Sequence, residues 1–142
     1  MKIRRASATD VEIVRELWEA FYDEWPEPEH RRKGWNEVAD AVRRAIDEQV
    51  VLIAEEDDAA VGFALAWPKN DRVGFVSDLY VRPAFRRRGI ARALLKEAAG
   101  RLDREFVTLT TELRNPGARA FYGRLGLREE SVNMVIEAER LR

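Results

Sequence analysis

Cysteine is absent from all 142 residues, which excludes disulfides, thiolate metal centres and a cysteine nucleophile. Histidine is nearly absent as well. His30 stands alone in a polar segment, so neither a multi-histidine zinc site nor a serine–histidine–aspartate triad is expected, and no metal is called for. No apolar run approaches the about 20 residues of a membrane-spanning helix. Met1 and Lys2 lead directly into an alternating segment, so no secretory leader is expected and the expected location is cytoplasmic. Lysine is scarce too, occurring only as Lys2, Lys33, Lys69 and Lys96, and arginine supplies the rest of the 25 basic side chains. These are balanced by 26 acidic ones for a net charge of −1, so no overall field draws the chain to nucleic acid or membrane.

What is present describes an ordinary globular chain, 46% apolar and 36% charged. At this length a single domain over residues 1–142 is expected, since two would each be undersized. Residues 2–6 (KIRRA) alternate mildly and read as a first strand. Thr9 with Glu12 three residues on reads as a capping box, and Val11, Val14, Leu17, Trp18, Phe21 and Tyr22 follow at helical spacing. Pro26, Pro28 and a charge run interrupt this pattern before a second amphipathic helix over residues 35–47. Residues 50–54 and 59–67 read as a hairpin, and residues 73–81 as the next strand. A helix from about Gly89, a strand over 105–111, a helix from Asn115 and a final strand over 131–137 complete the order. The pattern is that of an α+β protein.

The most informative stretch joins the strand ending at Val81 to the helix beginning near Gly89. Arg82-Pro83 stops the strand, because proline cannot donate to a ladder and pushes its predecessor out of the helical region. Arg86, Arg87, Arg88 and Gly89 follow, and then Ile90, Leu94, Leu95 and Ala98 begin a helical period. A helix start reached through such a turn gathers unpaired N–H groups that attract anions. Gly89 removes the Cβ that would keep a ligand from the backbone. Read alone, Arg86 to Arg88 are either a solvated charge cluster or the mobile charge of a phosphate or diphosphate site. A nucleic-acid stripe is not expected, because the basic residues are scattered and no aromatic platform accompanies them.

A second motif lies about one strand beyond. In NPGARAFYGRLGL, residues 115–127, Asn115 is a good N-cap, Pro116 takes the favoured first position and Gly126 is a plausible C-cap. The first motif, with Arg86 to Ala91 reading RRRGIA, resembles the Gln/Arg-x-x-Gly-x-Gly/Ala acetyl-CoA signature of the GNAT N-acetyltransferase superfamily. The second is similar to its Asn-x-x-Ala-x-x-Phe-Tyr-x-x-x-Gly-Phe segment, with Leu127 where phenylalanine is commoner. The element order also matches that fold, a mixed, mostly antiparallel central sheet flanked by helices in three layers.

The resemblance implies an acetyl-CoA-dependent N-acetyltransferase acting on a primary amine by direct attack. In that family the backbone of the loop, here Arg86, Arg87, Arg88, Gly89, Ile90 and Ala91, holds the coenzyme's diphosphate. The strand Leu79, Tyr80 and Val81 meets the pantetheine, and a bulge near these residues offers an N–H to the reacting carbonyl. Tyr122 matches the family's general acid, and Asn115 either contacts coenzyme or only orders its helix. Tyr122 is otherwise a half-buried aromatic beside Phe121. Asp78, an acid within an apolar strand, is the candidate base; otherwise it pairs with an arginine or caps a loop. Tyr22, Glu24 and Trp25, together with Asp78, are the expected acceptor wall, since aromatics beside carboxylates suit a small cationic or amino-acid-like amine. Peptide or protein N-terminal acetylation, a non-catalytic acetyl-CoA-binding module and homodimerisation stay open at this level.

Overall fold

The computed structural model describes residues 1–48 and 50–142, which fall into two compact units, Met1–Thr110 and Thr111–Arg142. The first unit is built on a five-stranded sheet of β1 (Lys2–Arg5), β2 (Val50–Glu56), β3 (Ala59–Pro68), β4 (Val73–Val81) and β5 (Phe106–Leu109), in sequential order. The first four strands pair antiparallel, whereas β5 runs parallel to β4. A parallel neighbour needs a crossover, and helix α3 (Ile90–Leu102) supplies it. The tight β2–β3 turn places Asp57 and Asp58 at φ values of 50° and 64°, a left-handed pair suited to a two-residue hairpin.

Helices cover both faces of this sheet. Val51, Ile53, Phe63, Leu65 and Tyr80 pack with Val14 and Leu17 of α1 (Val11–Glu24) and with Trp35, Val42 and Ile46 of α2 (Trp35–Glu48). On the opposite pleat, α3 comes close to β4 over Gly74, and neighbouring β4 crowds Gly62. A Cβ on Gly74 would stand 2.7 Å from Leu102 Cδ1, and one on Gly62 would stand 2.7 Å from the Tyr80 carbonyl oxygen. The result is the expected α+β arrangement, a mixed sheet between helical layers. No helix of the described residues is long and apolar enough to cross a membrane.

Two expectations are corrected. The first helix does not start from a Thr9–Glu12 box. A 3-10 turn, Ala8–Asp10, precedes α1, and Asp10 reaches back to accept from the Ser7 N–H at 2.8 Å and the Ser7 hydroxyl at 3.1 Å. Asp10 wins because it is buried (6% exposed) and clasped by both terminal nitrogens of Arg4, at 2.7 and 2.9 Å. Second, residues 131–137 form no strand; Val132, Met134 and Val135 stand 63%, 93% and 68% exposed. Alternating apolar residues express a preference for a pleated surface, but a strand also needs a neighbouring edge to bond with, and this segment engages none.

Within the second unit, α4 (Pro116–Arg124) starts as expected. Asn115 Oδ1 accepts from the Ala118 N–H at 3.0 Å, and Gly126, at φ 96°, lets the Leu127 N–H return to the Tyr122 carbonyl.

The Arg4 guanidinium and the Ser7 donors hold the Asp10 carboxyl well below the usual carboxylate range. Its contribution is therefore complete above about pH 4 and is lost as pH falls toward the depressed folded value. Asp10→Asn should cost about 2–3 kcal/mol at pH 7, the scale of charged hydrogen bonds in a buried site. In urea melts at a series of pH values, that difference should shrink below pH 4; a constant difference would remove the ion pair from the account.

Candidate active site

β4 changes its partners half-way along. Its parallel pairing with β5 runs from Val73↔Phe106 to Val76↔Leu109 and ends there. Pairing with β3 continues to Val81, but with a bulge: Leu65 faces Asp78 and Ala66 faces Val76, so Ser77 is the extra residue. The expected bulge near Leu79 to Val81 is thus corrected to Ser77, since the register is regular from Asp78 onward. The Arg82 N–H bonds the Val61 carbonyl at 2.8 Å. The antiparallel alternation counted back from that bond turns the Tyr80 and Asp78 N–H groups toward β3 and those of Leu79 and Val81 away from it. Beyond Val76 this outward side of β4 carries no strand among the described residues.

The bulge also sets the chemistry of Asp78. By register Asp78 lies on the same pleat as Tyr80 and Phe63, the face covered by α1 and α2. The Ser77 hydroxyl accepts from the Trp67 indole N–H at 3.0 Å and lies 2.8 Å from Asp78 Oδ2 and 3.2 Å from the Leu65 carbonyl oxygen. Its single proton serves one of these acceptors at a time. Burial, with a smaller push from the Glu27 charge, raises the Asp78 carboxyl to about 6 against the opposing Ser77 hydrogen bond. A carboxylate with its midpoint near 6 is mostly ionised at neutrality yet more basic than an ordinary carboxylate, which suits a general base.

Asp78 opens into a cleft of about 400 Å³ whose walls include Trp18, Phe21, Tyr22, Trp25 and Glu27. Tyr22 stacks on Trp18 with centroids 4.9 Å apart and accepts the Lys33 N–H at 2.8 Å, tying the end of the interhelical loop to α1. Tyr22, Trp25 and Asp78 of the expected wall are therefore brought together, whereas Glu24 is not among the lining residues. His30, Arg31 and Lys33, which the sequence did not single out, line the cleft as well. The 3-10 turn Glu29–Arg31, set up by Pro28, brings them there. Glu27 and Arg31 form an ion pair, with Arg31 Nε 3.6 Å from Glu27 Oε2. A separate cavity of about 340 Å³ bordered by Arg5, Arg101 and Arg104 shares no residue with this cleft.

Past Val81, the 3-10 turn Pro83–Phe85 leads into Arg86, Arg87, Arg88 and Gly89. Arg87 at φ 64° and Gly89 at φ 82° are both left-handed, and Gly89 is the N-cap of α3. Alternating left-handed residues before a helix start form a concave array of N–H groups suited to an anion. Arg87 and Arg88 are exposed, and no atom lies within 4 Å of the position a Gly89 Cβ would take, so the backbone is open to a ligand. Ile90 turns into the core, while Ala91 stays half-buried. Arg86 differs from the expectation of mobile charge, because both terminal nitrogens bond Glu24, at 2.7 and 2.6 Å. In the second unit, Asn115 caps α4, and burial pushes the Tyr122 phenol up to about 12.

The profile of the acetyltransferase (GNAT) family matches residues 11–127. The chain belongs to that family. It is 30% identical to YhfO, an uncharacterised N-acetyltransferase of Bacillus subtilis, over 92% of each chain. It is also 30% identical to an uncharacterised N-acetyltransferase of Methanocaldococcus jannaschii, over 92% of this chain and 62% of that one. Among solved structures it resembles an aminoglycoside N-acetyltransferase in complex with CoA, with TM-score 0.75, 24% identity and coverage of 96% and 93%. A probable acetyltransferase gives TM-score 0.76 at 21% identity, covering 96% of this chain and 97% of that one. These two likenesses bear on the fold alone, and the fold is the GNAT one. The protein is an N-acetyltransferase enzyme by family, and its matched residues run across the boundary between the two units.

If the Ser77 hydroxyl stabilises the ionised carboxylate, Ser77→Ala should raise the Asp78 pKa above about 6. Carboxyl carbon NMR titration reads this directly, and an unmoved or lowered midpoint would show that the hydroxyl serves Leu65 instead.

Proposed function

We propose that this GNAT enzyme transfers an acetyl group from acetyl-CoA to the primary amine of a small cationic or amino-acid-like acceptor. We further propose that both units work as one domain. The observation that supports the reading is the fork in β4: beyond Val76 its outward side meets no strand among the described residues, and there Asp78 opens into an aromatic cleft where Glu27 stands beside Arg31 and Lys33. An extended pantetheine arm carries amides that suit such an edge, as a strand would. The left-handed turn at Arg87 and Gly89 and the N-terminus of α3 suit the coenzyme's diphosphate, so the residues fit the group. Bound there, acetyl-CoA supplies an activated thioester.

The chain's own residues would do the rest. Outward N–H groups of Leu79 and Val81 are fixed donors for a carbonyl oxygen that gains charge during attack. Asp78 accepts the proton that an alkylammonium must lose before its nitrogen becomes a nucleophile. Trp18, Tyr22 and Trp25 offer aromatic faces to the cation, with Glu27 for charge pairing. Tyr122, with its proton held to about pH 12, remains a phenol at neutrality and serves as donor to the leaving thiolate. Asn115 serves by ordering the start of the helix that carries Tyr122.

A panel of amines, amino acids, aminoglycosides and peptides, followed by thiol release, tests the acceptor class. Turnover confined to peptide N-termini, or none at all, would contradict it. Tyr122→Phe should lower kcat by about 100-fold or more, the scale of a lost general acid, with acetyl-CoA affinity nearly unchanged. In the native enzyme the rate should rise with pH through about 6 as Asp78 ionises, and Asp78→Asn should abolish that limb. An unaltered profile would assign the base elsewhere.

A further inference from the structure

Arg86, the first residue of the loop, is held by its own protein although its side chain stays 40% exposed. Its terminal nitrogens form a two-pronged pair with Glu24 at the end of α1, at 2.7 and 2.6 Å, and its Nε–H donates to the Val81 carbonyl at 2.8 Å. The guanidinium carbon lies 5.6 Å from the centroid of the Tyr80 ring, which stacks on Phe21 of α1 at 5.2 Å. The same arginine thus touches the last turn of α1, the end of β4 and the loop that begins α3. Its neighbours Arg87 and Arg88 are exposed, with Arg88 over the Phe85 ring.

We infer that Arg86 is a bolt and not a phosphate ligand, and that Glu24 is a positioning residue for the coenzyme loop and not part of the acceptor wall. The inference rests on the acetyl-CoA reading of the loop. The planar fork of a guanidinium meets a carboxylate in one geometry, so the pair fixes the direction of the backbone from which Arg87 and Gly89 turn. Left untied, that segment would have to be ordered at the expense of coenzyme binding. A pair as exposed as this one (29% and 40% for the two side chains) adds little to global stability, so its consequence is local. Because α1 also contributes Trp18, Phe21 and Tyr22 to the cleft, the bolt ties the acceptor wall to the coenzyme loop.

The two roles for Arg86 predict opposite signs. Isothermal calorimetry with acetyl-CoA is done first on the native protein; no binding there would overturn the coenzyme reading and this inference with it. Given native binding, Glu24→Gln should raise the Kd for acetyl-CoA about two- to ten-fold, the scale of ordering one long side chain and its loop. The KM of the amine should stay within error. Arg86→Lys keeps the charge but loses the fork, and should weaken acetyl-CoA to the same degree. The double variant should be no worse than either, because one interaction is lost in all three. Tighter acetyl-CoA binding by Glu24→Gln would overturn the inference, since a freed Arg86 would then be a direct ligand. A raised amine KM with unchanged coenzyme affinity would overturn it too, returning Glu24 to the acceptor wall. Full affinity in Arg86→Lys would equally show that the fork is dispensable.

Discussion

Everything distinctive in this enzyme follows from the separation of β4 from β5 beyond Val76. A strand in mid-sheet normally has both rows of backbone groups satisfied, and leaving one row open costs free energy unless water or a ligand replaces the missing partner. Here the outward N–H groups of Leu79 and Val81 face no strand among the described residues, between the Ser77 bulge on one side and the left-handed turn at Arg87 and Gly89 on the other, while Arg86 takes the Val81 carbonyl. Helices pack on both faces of the sheet that carries this edge. Gly74 lets α3 come close, Gly62 leaves room for the Tyr80 carbonyl, and Phe63 and Tyr80 bind α1 and α2 on the reverse pleat. The fork is thus a property of the whole packed unit, and its chemistry is that of an unfilled strand position.

The electrostatics of the same unit divide into tied and untied charges. Arg4 and Asp10 are spent on the start of α1, and Arg86 and Glu24 on the entry to the turn before α3. Arg87 and Arg88 stay exposed at the turn, and burial raises the Asp78 carboxyl in the cleft to about 6. A fixed charge beside a reacting amine would only bind it, whereas a group near its midpoint can also exchange a proton. The Ser77 hydroxyl, held by the Trp67 indole, is the second partner in that balance.

Much of this was legible in the sequence where one residue type has one physical use. The β-branched and aromatic run of β4, the arginine-glycine turn and the Asn115-Pro116 helix start all read correctly, because proline, glycine and a capping amide act locally. The Ser77 bulge was missed, although two adjacent polar residues in an otherwise alternating strand are its trace. Asp10 was overlooked because its role depends on Arg4, on a separate element. Glu24 stands beside Tyr22 and Trp25 in the sequence, but a helix turns by about 100° per residue, and the structure pairs its carboxylate with Arg86. The strand expected over residues 131–137 shows the same limit from the other side. Its alternation states a preference and says nothing about an available edge.

The most direct test of the fork is residue-resolved amide hydrogen exchange by NMR, with and without saturating acetyl-CoA. The Asp78 and Tyr80 amides, turned toward β3, serve as internal controls and should exchange slowly in both states. The account predicts that acetyl-CoA slows exchange at Leu79 and Val81. Bound coenzyme that left those two amides exchanging as before would contradict it.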